Sequence, residues 1–333
     1  MYYTLSIGKK YIKIVCILCV ILVITLFIHT FADKHHNKPH VNAIDDHLDT
    51  FADQLSGDLV FSDANSDNIT GFKTPIVPNV VHYVVLDNVY MDFIHFVSIK
   101  SVLRHQKPQK IIIHCNCHHM KGKYWSQLMS GSDGHLIHVR HIQKPVTIFG
   151  KKLSSVYHMA DIVRIQVMIT FGGIFIDNDV YVVKSLDPFL RFEFTIGWPP
   201  NESIGNQVLI GHKNARFLKL WYESYHKYRP TRWYYNAGQL PTSDILGPKP
   251  SLVHRVSHAF GVHNLVPMLY NDLYPFWDNN FFAIHLLARH KSYLVPNDMI
   301  TTFNEHNIKT YNKTFGQMAR LVLFGTTDII ADH

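Results

Sequence analysis

In residues 158–188 an Asp and an Arg one helical turn apart lead into an apolar helix, a Gly-Gly break, a short apolar strand and then Asp177-Asn178-Asp179. Each piece is common, but their order limits what the chain can build. Between Met159 and Phe171 the residues Ile162, Val163, Ile165, Val167, Met168 and Ile169 cover most of a helix surface, which predicts a buried helix. Asp161 and Arg164 share a face of it near its N-terminal end. Gly172-Gly173 can end the helix, because glycine accepts positive φ just past the last turn. Ile174-Phe175-Ile176 is too short for a helix and rich in strand formers, so a core strand is expected. If the chain stays extended beyond it, Asp177 and Asp179 point to one side and Asn178 to the other. Two carboxylates there suit a hard cation such as Mg²⁺ or Mn²⁺, whose shell is often completed by substrate phosphates.

A bare Asp-x-Asp arises by chance and by itself reads as a solvated turn. With its flanks, the ordered set resembles the glycosyltransferase family that carries a sugar-binding region with a DXD motif. That group includes α-1,4-galactosyltransferases, α-1,4-N-acetylglucosaminyltransferases and initiating α-1,6-mannosyltransferases, and large glucosylating toxins share a similar core. Residues 77–83 resemble the family's opening strand, and residues 108–125 its second strand and the aromatic segment after it, with Tyr124-Trp125 in place. Asn236-Ala237, Gly247-Pro248 and Ala283-Ile284-His285 resemble its later signatures. The chain departs from the pattern at Asn178, where Thr or Ser is commoner, and at Leu286-Leu287, where an aromatic is usual after the His.

Strands near 80–86, 110–114, 136–140, 174–176 and 180–183 alternate with helices near 92–105, 123–130, 156–171 and 214–228. This is an α/β pattern with a mostly parallel sheet, and the resemblance implies a GT-A-like, nucleotide-sugar-binding domain. Ligands of such sheets bind beyond the carboxyl ends of the strands, where Asp177 and Asp179 fall. The resemblance implies transfer of a hexose or N-acetylhexosamine from a nucleotide sugar, a UDP-sugar being favoured, to a glycan, glycolipid or glycoprotein, with retention of anomeric configuration. Asp177 and Asp179 would hold Mn²⁺ or Mg²⁺, with His285 as a third ligand by resemblance. Asp161, Arg164 and Asp177 would meet the donor sugar, with a structural helix ion pair as the alternative for Asp161 and Arg164. His82, Tyr83 and Asp87 end the first strand and are candidates for the nucleotide pocket, with strand packing as the alternative. No residue is marked by its spacing as a nucleophile or general base. An inactive binding protein and a metal-dependent phosphohydrolase are the competing functions.

Residues 14–28 are apolar apart from Thr25, and the apolar character persists to Ala32. About 20 such residues cross a bilayer. Lys9, Lys10 and Lys13 precede the run, so a cytosolic tail (1–13), a transmembrane signal anchor (14–32), a lumenal stem (33–74) and a catalytic domain (75–333) are expected on a Golgi membrane. A cleaved signal is the alternative, although no small-residue cleavage site follows Ile28. Sequons at Asn68, Asn201 and Asn312 offer glycosylation sites to a lumenal chain. Of four cysteines, Cys16 and Cys19 lie in the span, while Cys115 and Cys117 could be thiols, a local disulfide or, with His114, His118 and His119, part of a zinc site. The net charge of +7 comes without an Arg/Lys stripe, which argues against nucleic acid as a partner.

The full chain expressed in a eukaryotic secretory pathway should resist alkaline extraction from membranes, lose mass with glycosidase and keep its N-terminus cytosolic. An N-terminus processed near Ala32 would show a secreted protein instead.

Overall fold

The strands are β1 (Val80–Val85), β2 (Lys110–Cys115), β3 (Ile137–His141), β4 (Thr147–Ile148), β5 (Lys151–Lys152), β6 (Gly173–Ile176), β7 (Val180–Val182), β8 (Phe194–Gly197), β9 (Gly205–Gly211), β10 (His254–Val256) and β11 (Ala283–His285), and the inner ones, β1, β2 and β6, are apolar runs too short for helices. The principal helices are α1 (Phe93–His105), α2 (Lys123–Met129), α3 (Val156–Phe171), α4 (Arg216–Ser224) and α5 (Thr314–Phe324). The structure is a computed structural model that describes residues 57–331, apart from 263, 292–294 and 296–299. The expected tail, span and first part of the stem lie outside the described residues. Among the described residues no helix is long and apolar enough to cross a membrane.

Seven strands form the central sheet in the order β10-β8-β9-β6-β1-β2-β3. β9 alone runs against its neighbours β6 and β8; the other pairings are parallel. The mixed, mostly parallel α/β sheet expected from the sequence is therefore present. β1, β6 and most of β2 are buried throughout, as strands covered on both faces must be. The expected strand near 180–183 exists but stands outside this sheet, paired with β11 in a separate antiparallel ladder. Its other edge is satisfied by α1. Ser98 Oγ donates to the Val180 carbonyl at 2.6 Å, and the Val182 N–H donates to Ser101 Oγ at 2.9 Å. Two fully buried serines one turn apart thus replace a neighbouring strand.

Residues 57–74, assigned to the stem by composition, pack against the domain instead. Asn214 Nδ2 donates to the Leu59 carbonyl at 2.9 Å, and the Phe72 N–H donates to the Arg191 carbonyl at 2.8 Å. Arg216 joins Asp63 to Glu193, which is fully buried. Low hydrophobicity hid these contacts, because they are mostly polar. Asn68 is also corrected: it is only 6% exposed, and its amide donates to the Ser251 carbonyl at 2.9 Å, so the folded domain has no room for a glycan there. Asn201 and Asn312 are exposed.

The Gly-Gly break works as expected. Ser155 caps the N-terminus of α3 by accepting from the His158 N–H at 3.2 Å, and Gly172 (φ 64°) and Gly173 (φ 96°) turn the chain into β6. A Cβ on Gly173 would lie 2.7 Å from the Val80 carbonyl oxygen, in backbone that cannot move without breaking the sheet. Gly173→Ala should therefore lose about 1–3 kcal/mol, read as a lower melting temperature. An unchanged melting temperature would show that the β1–β6 contact is soft.

Candidate functional site

The site forms where α3 crosses the end of β6. Asp161 and Arg164 are each only 7% exposed, because α3 is buried on this face. One guanidinium nitrogen of Arg164 lies 3.1 Å from Asp177 Oδ1 and donates to the Asn206 carbonyl at 2.7 Å. The other lies 3.4 Å from Asp161 Oδ1. The guanidinium also stacks 4.8 Å from the centre of the Phe175 ring. Asn206 Nδ2 closes the circuit by donating to Asp161 Oδ1 at 2.9 Å. Arg164 therefore serves more than a helix ion pair, since it links α3, the end of β6 and the start of β9. Burial works against its charge, but Asp177 and Asp161 prevail and hold its pKa above the ordinary value. Burial pushes the Asp161 carboxyl up despite Arg164, whose shorter contact goes to Asp177.

Beyond Asp177 the chain does not stay extended. The Val180 N–H donates to the Asp177 carbonyl at 3.0 Å, which makes a tight turn through Asn178 and Asp179. Asn178 Nδ2 fastens that turn to β1 through the Val84 carbonyl at 3.0 Å. The two carboxylates consequently have separate partners: Asp177 faces Arg164, and Asp179 faces His285, with Oδ1 and Nε2 3.1 Å apart. His285 arrives through the β7–β11 ladder, where it stands opposite Val180. Burial opposes protonation of His285, but the Asp179 carboxylate outweighs it and holds the pKa above the ordinary imidazole value. Burial likewise works against the charge of Asp179, and His285 overcomes it, leaving the carboxyl below its usual range.

Among the described residues no three of His, Cys, Asp or Glu are grouped to hold a metal ion. Of the expected trio, Asp179 and His285 stand as a close pair, while Asp177 is turned to the Arg164 guanidinium. That pair still fits a divalent cation. Cis ligands of an octahedral ion with bonds of about 2.1 Å stand about 3 Å apart, close to the Asp179–His285 separation.

His82 and Tyr83 are corrected as well. Both have 0% exposure and so offer no surface to a base. His82 Nδ1 meets His114 Nε2 at 3.1 Å, and the Tyr83 hydroxyl meets Ser98 Oγ at 3.1 Å. Burial lowers the His82 pKa to about 3. Asp87 does reach the surface past β1, where Lys144 lies 2.7 Å away and Asn116 Nδ2 donates to it at 2.9 Å. Cys115 and Cys117 are joined as a disulfide, which withdraws both from any zinc site.

Asn206 was missed by sequence reasoning. Its signal is weak: a polar Gly-Asn-Gln head on the apolar run Val208-Leu209-Ile210. The N-terminal turn of α1 adds His95, 5% exposed; burial lowers its pKa to about 4, and Asp92 and Asp179 partly offset that.

Residues 95–195 match the family described as the glycosyltransferase sugar-binding region containing a DXD motif, and this span holds Asp161, Arg164, Asp177 and Asp179. The chain is also 27% identical over 179 residues to Glucan organizing enzyme 1 of Cryptococcus neoformans var. grubii serotype A, covering 48% of this chain and 47% of that protein. It thus spans about half the length of that relative. Among solved structures, the galactosyltransferase LgtC with donor and acceptor sugar analogs is 15% identical, covering 62% of this chain and 87% of that one at a TM-score of 0.40. The bifunctional glycosyltransferase WbbM is 10% identical, covering 77% and 52% at 0.42. At these scores the two structures add nothing to the strand order itself. The resemblance to DXD glycosyltransferases is shown over the segment that builds the site.

Arg164→Ala would leave a buried carboxylate, Asp161, and a half-buried one, Asp177, without their cation and should cost about 3–5 kcal/mol. Asp161→Asn should stay within about 1 kcal/mol of the parent. The raised folded pKa of Asp161 means that ionisation weakens the fold as pH rises past 3.8, a loss that the amide escapes. Denaturant titration across pH checks both. Equal losses in the two variants would remove Arg164 as the centre of the network.

Proposed function

We propose that this chain is a metal-dependent, retaining glycosyltransferase that moves a hexose or N-acetylhexosamine from a nucleotide sugar, a UDP-sugar being favoured, to a glycan, glycolipid or glycoprotein acceptor. The observation that carries this reading is one arrangement. The Asp161–Arg164–Asp177 network and the Asp179–His285 pair meet at Asp177 and Asp179, two residues apart just past the carboxyl end of β6, which runs parallel to β1. In this reading Asp179 and His285 hold Mn²⁺ or Mg²⁺, which supplies charge stabilisation for the departing diphosphate. Asn206 and Arg164 both engage Oδ1 of Asp161, so Oδ2 is the oxygen that accepts from a donor-sugar hydroxyl. Arg164 holds Asp161 and Asp177 in place and is a positioning residue. Asp87, beside Lys144, is the one of the three nucleotide candidates with exposed surface. No nucleophile stands out, which suits attack on the face from which the diphosphate leaves. The proposed setting is a Golgi membrane with the domain in the lumen.

Full-length protein with a panel of UDP-sugars and Mn²⁺ should transfer one sugar and form an α linkage from an α-linked donor. Asp179→Ala should lower the rate about a hundred- to a thousandfold at an unchanged melting temperature. Phosphate release that ignores the sugar would support a hydrolase, and donor binding without turnover a binding protein.

A further inference from the structure

A second group of side chains lies at the same end of α3 and plays no part in holding the donor. Trp233 is 60% and Tyr157 45% exposed, more than either ring's apolar surface favours. Their centroids are 4.9 Å apart at 67°, so the two rings form a corner. Arg289 donates to the Tyr157 hydroxyl at 3.1 Å, with its guanidinium 5.6 Å from the ring centre. Below the corner, buried His158 fixes the Trp233 backbone. Its Nε2–H donates to the Trp233 carbonyl at 3.0 Å, so Nδ1 is left to accept from the Tyr228 hydroxyl at 2.6 Å. Exposed rings held this firmly are preorganised for a ligand.

The corner adjoins the site from both sides. Tyr157 precedes Asp161 by one turn of α3, so the two share a face. Arg289 follows His285 by four residues. A ligand resting on the corner lies one helical turn from Asp161.

We infer that the Tyr157–Trp233–Arg289 corner is the acceptor subsite and takes the pyranose end of a glycan, an inference that rests on the transferase reading. A pyranose presents a face of C–H bonds, weakly positive, to the electron-rich face of an aromatic ring. The second ring, set at an angle, stops the sugar from sliding. The contact with Tyr157 uses one of the five guanidinium N–H groups of Arg289, and the others suit hydroxyl oxygens. A lipid chain would need an aliphatic trough, whereas Trp233 is flanked by exposed Arg232 and follows exposed Arg229.

The test uses full-length protein and an array of neutral oligosaccharides ending in glucose, galactose, mannose or N-acetylglucosamine, beside unglycosylated peptides and phosphatidylcholine vesicles. Thermal shift with UDP and Mn²⁺ is run in parallel. The parent should bind at least one terminal sugar. Trp233→Ala should weaken that binding about tenfold or more, Trp233→Phe should restore most of it, and the UDP–Mn²⁺ shift should be the same in all three. Equal glycan binding by Trp233→Ala, or binding by the parent only to peptide or vesicle, would overturn the inference. Loss of the UDP–Mn²⁺ shift in the parent, with glycan binding intact, would count against the donor site alone.

Discussion

A guanidinium inside a protein needs anionic partners, because removing it from water costs several kcal/mol that only close, well-directed contacts offset. Arg164 finds them in Asp161 on its own helix, Asp177 at the end of a strand and the carbonyl of Asn206 on the neighbouring strand. One cation thereby fixes how α3, β6 and β9 meet. The Phe175 ring covers the guanidinium from the strand side, which excludes water and strengthens each of these contacts. An amine could not do this, since it lacks the planar fork that reaches three partners and stacks on a ring. Asp161 is then presented with one oxygen already committed, so its side chain is aimed before any ligand arrives.

The second constraint is the departure of β7 from the sheet. A strand that leaves must still satisfy both edges, and here Ser98 and Ser101 on α1 serve one edge and β11 the other. The turn at Asn178-Asp179 follows from this, because the chain has to change direction between β6 and β7. The same ladder brings His285 to Asp179 across more than a hundred residues of sequence. The Leu286 N–H donates to the Asp179 carbonyl at 2.8 Å, which locks the backbones together next to the imidazole.

The helices and inner strands were legible because their signals are local. The expected helix at 156–171 coincides with α3, and those at 92–105 and 123–130 differ from α1 and α2 by a residue. Periodicity and a Gly-Gly stop are both read within a few residues of one another. Asp161, Arg164 and the Asp-x-Asp were legible for the same reason. The error at Asp177 and Asp179 came from extending β6 two residues too far, although Asn and Asp favour turns. β8, β9 and β10 are short and lack sustained alternation, which gives no period to read. Asn206 and Trp233 matter only through what folding places beside them. His82 and Tyr83 looked available because they are polar and near a strand end. His82 in fact stacks with His114 and Phe171, while Tyr83 bonds to α1.

Charge arithmetic connects the network to the chemistry proposed for it. Asp161, Asp177 and Asp179 are three carboxylates, and Arg164 supplies one permanent positive charge among them. A nucleotide sugar brings a diphosphate with further negative charge into the same space. Like charges a few ångströms apart in a partly buried site repel by several kcal/mol, and a protonated His285 would relieve only part of that. In the proposed reading a divalent cation held by Asp179 and His285 would offset that charge. Arg164 is buried against Asp161 and Asp177, where it serves their position. The proposed division of labour follows burial: the guanidinium sealed in the core sets geometry, and the partly exposed Asp179–His285 pair is the one that a cation from solvent could reach.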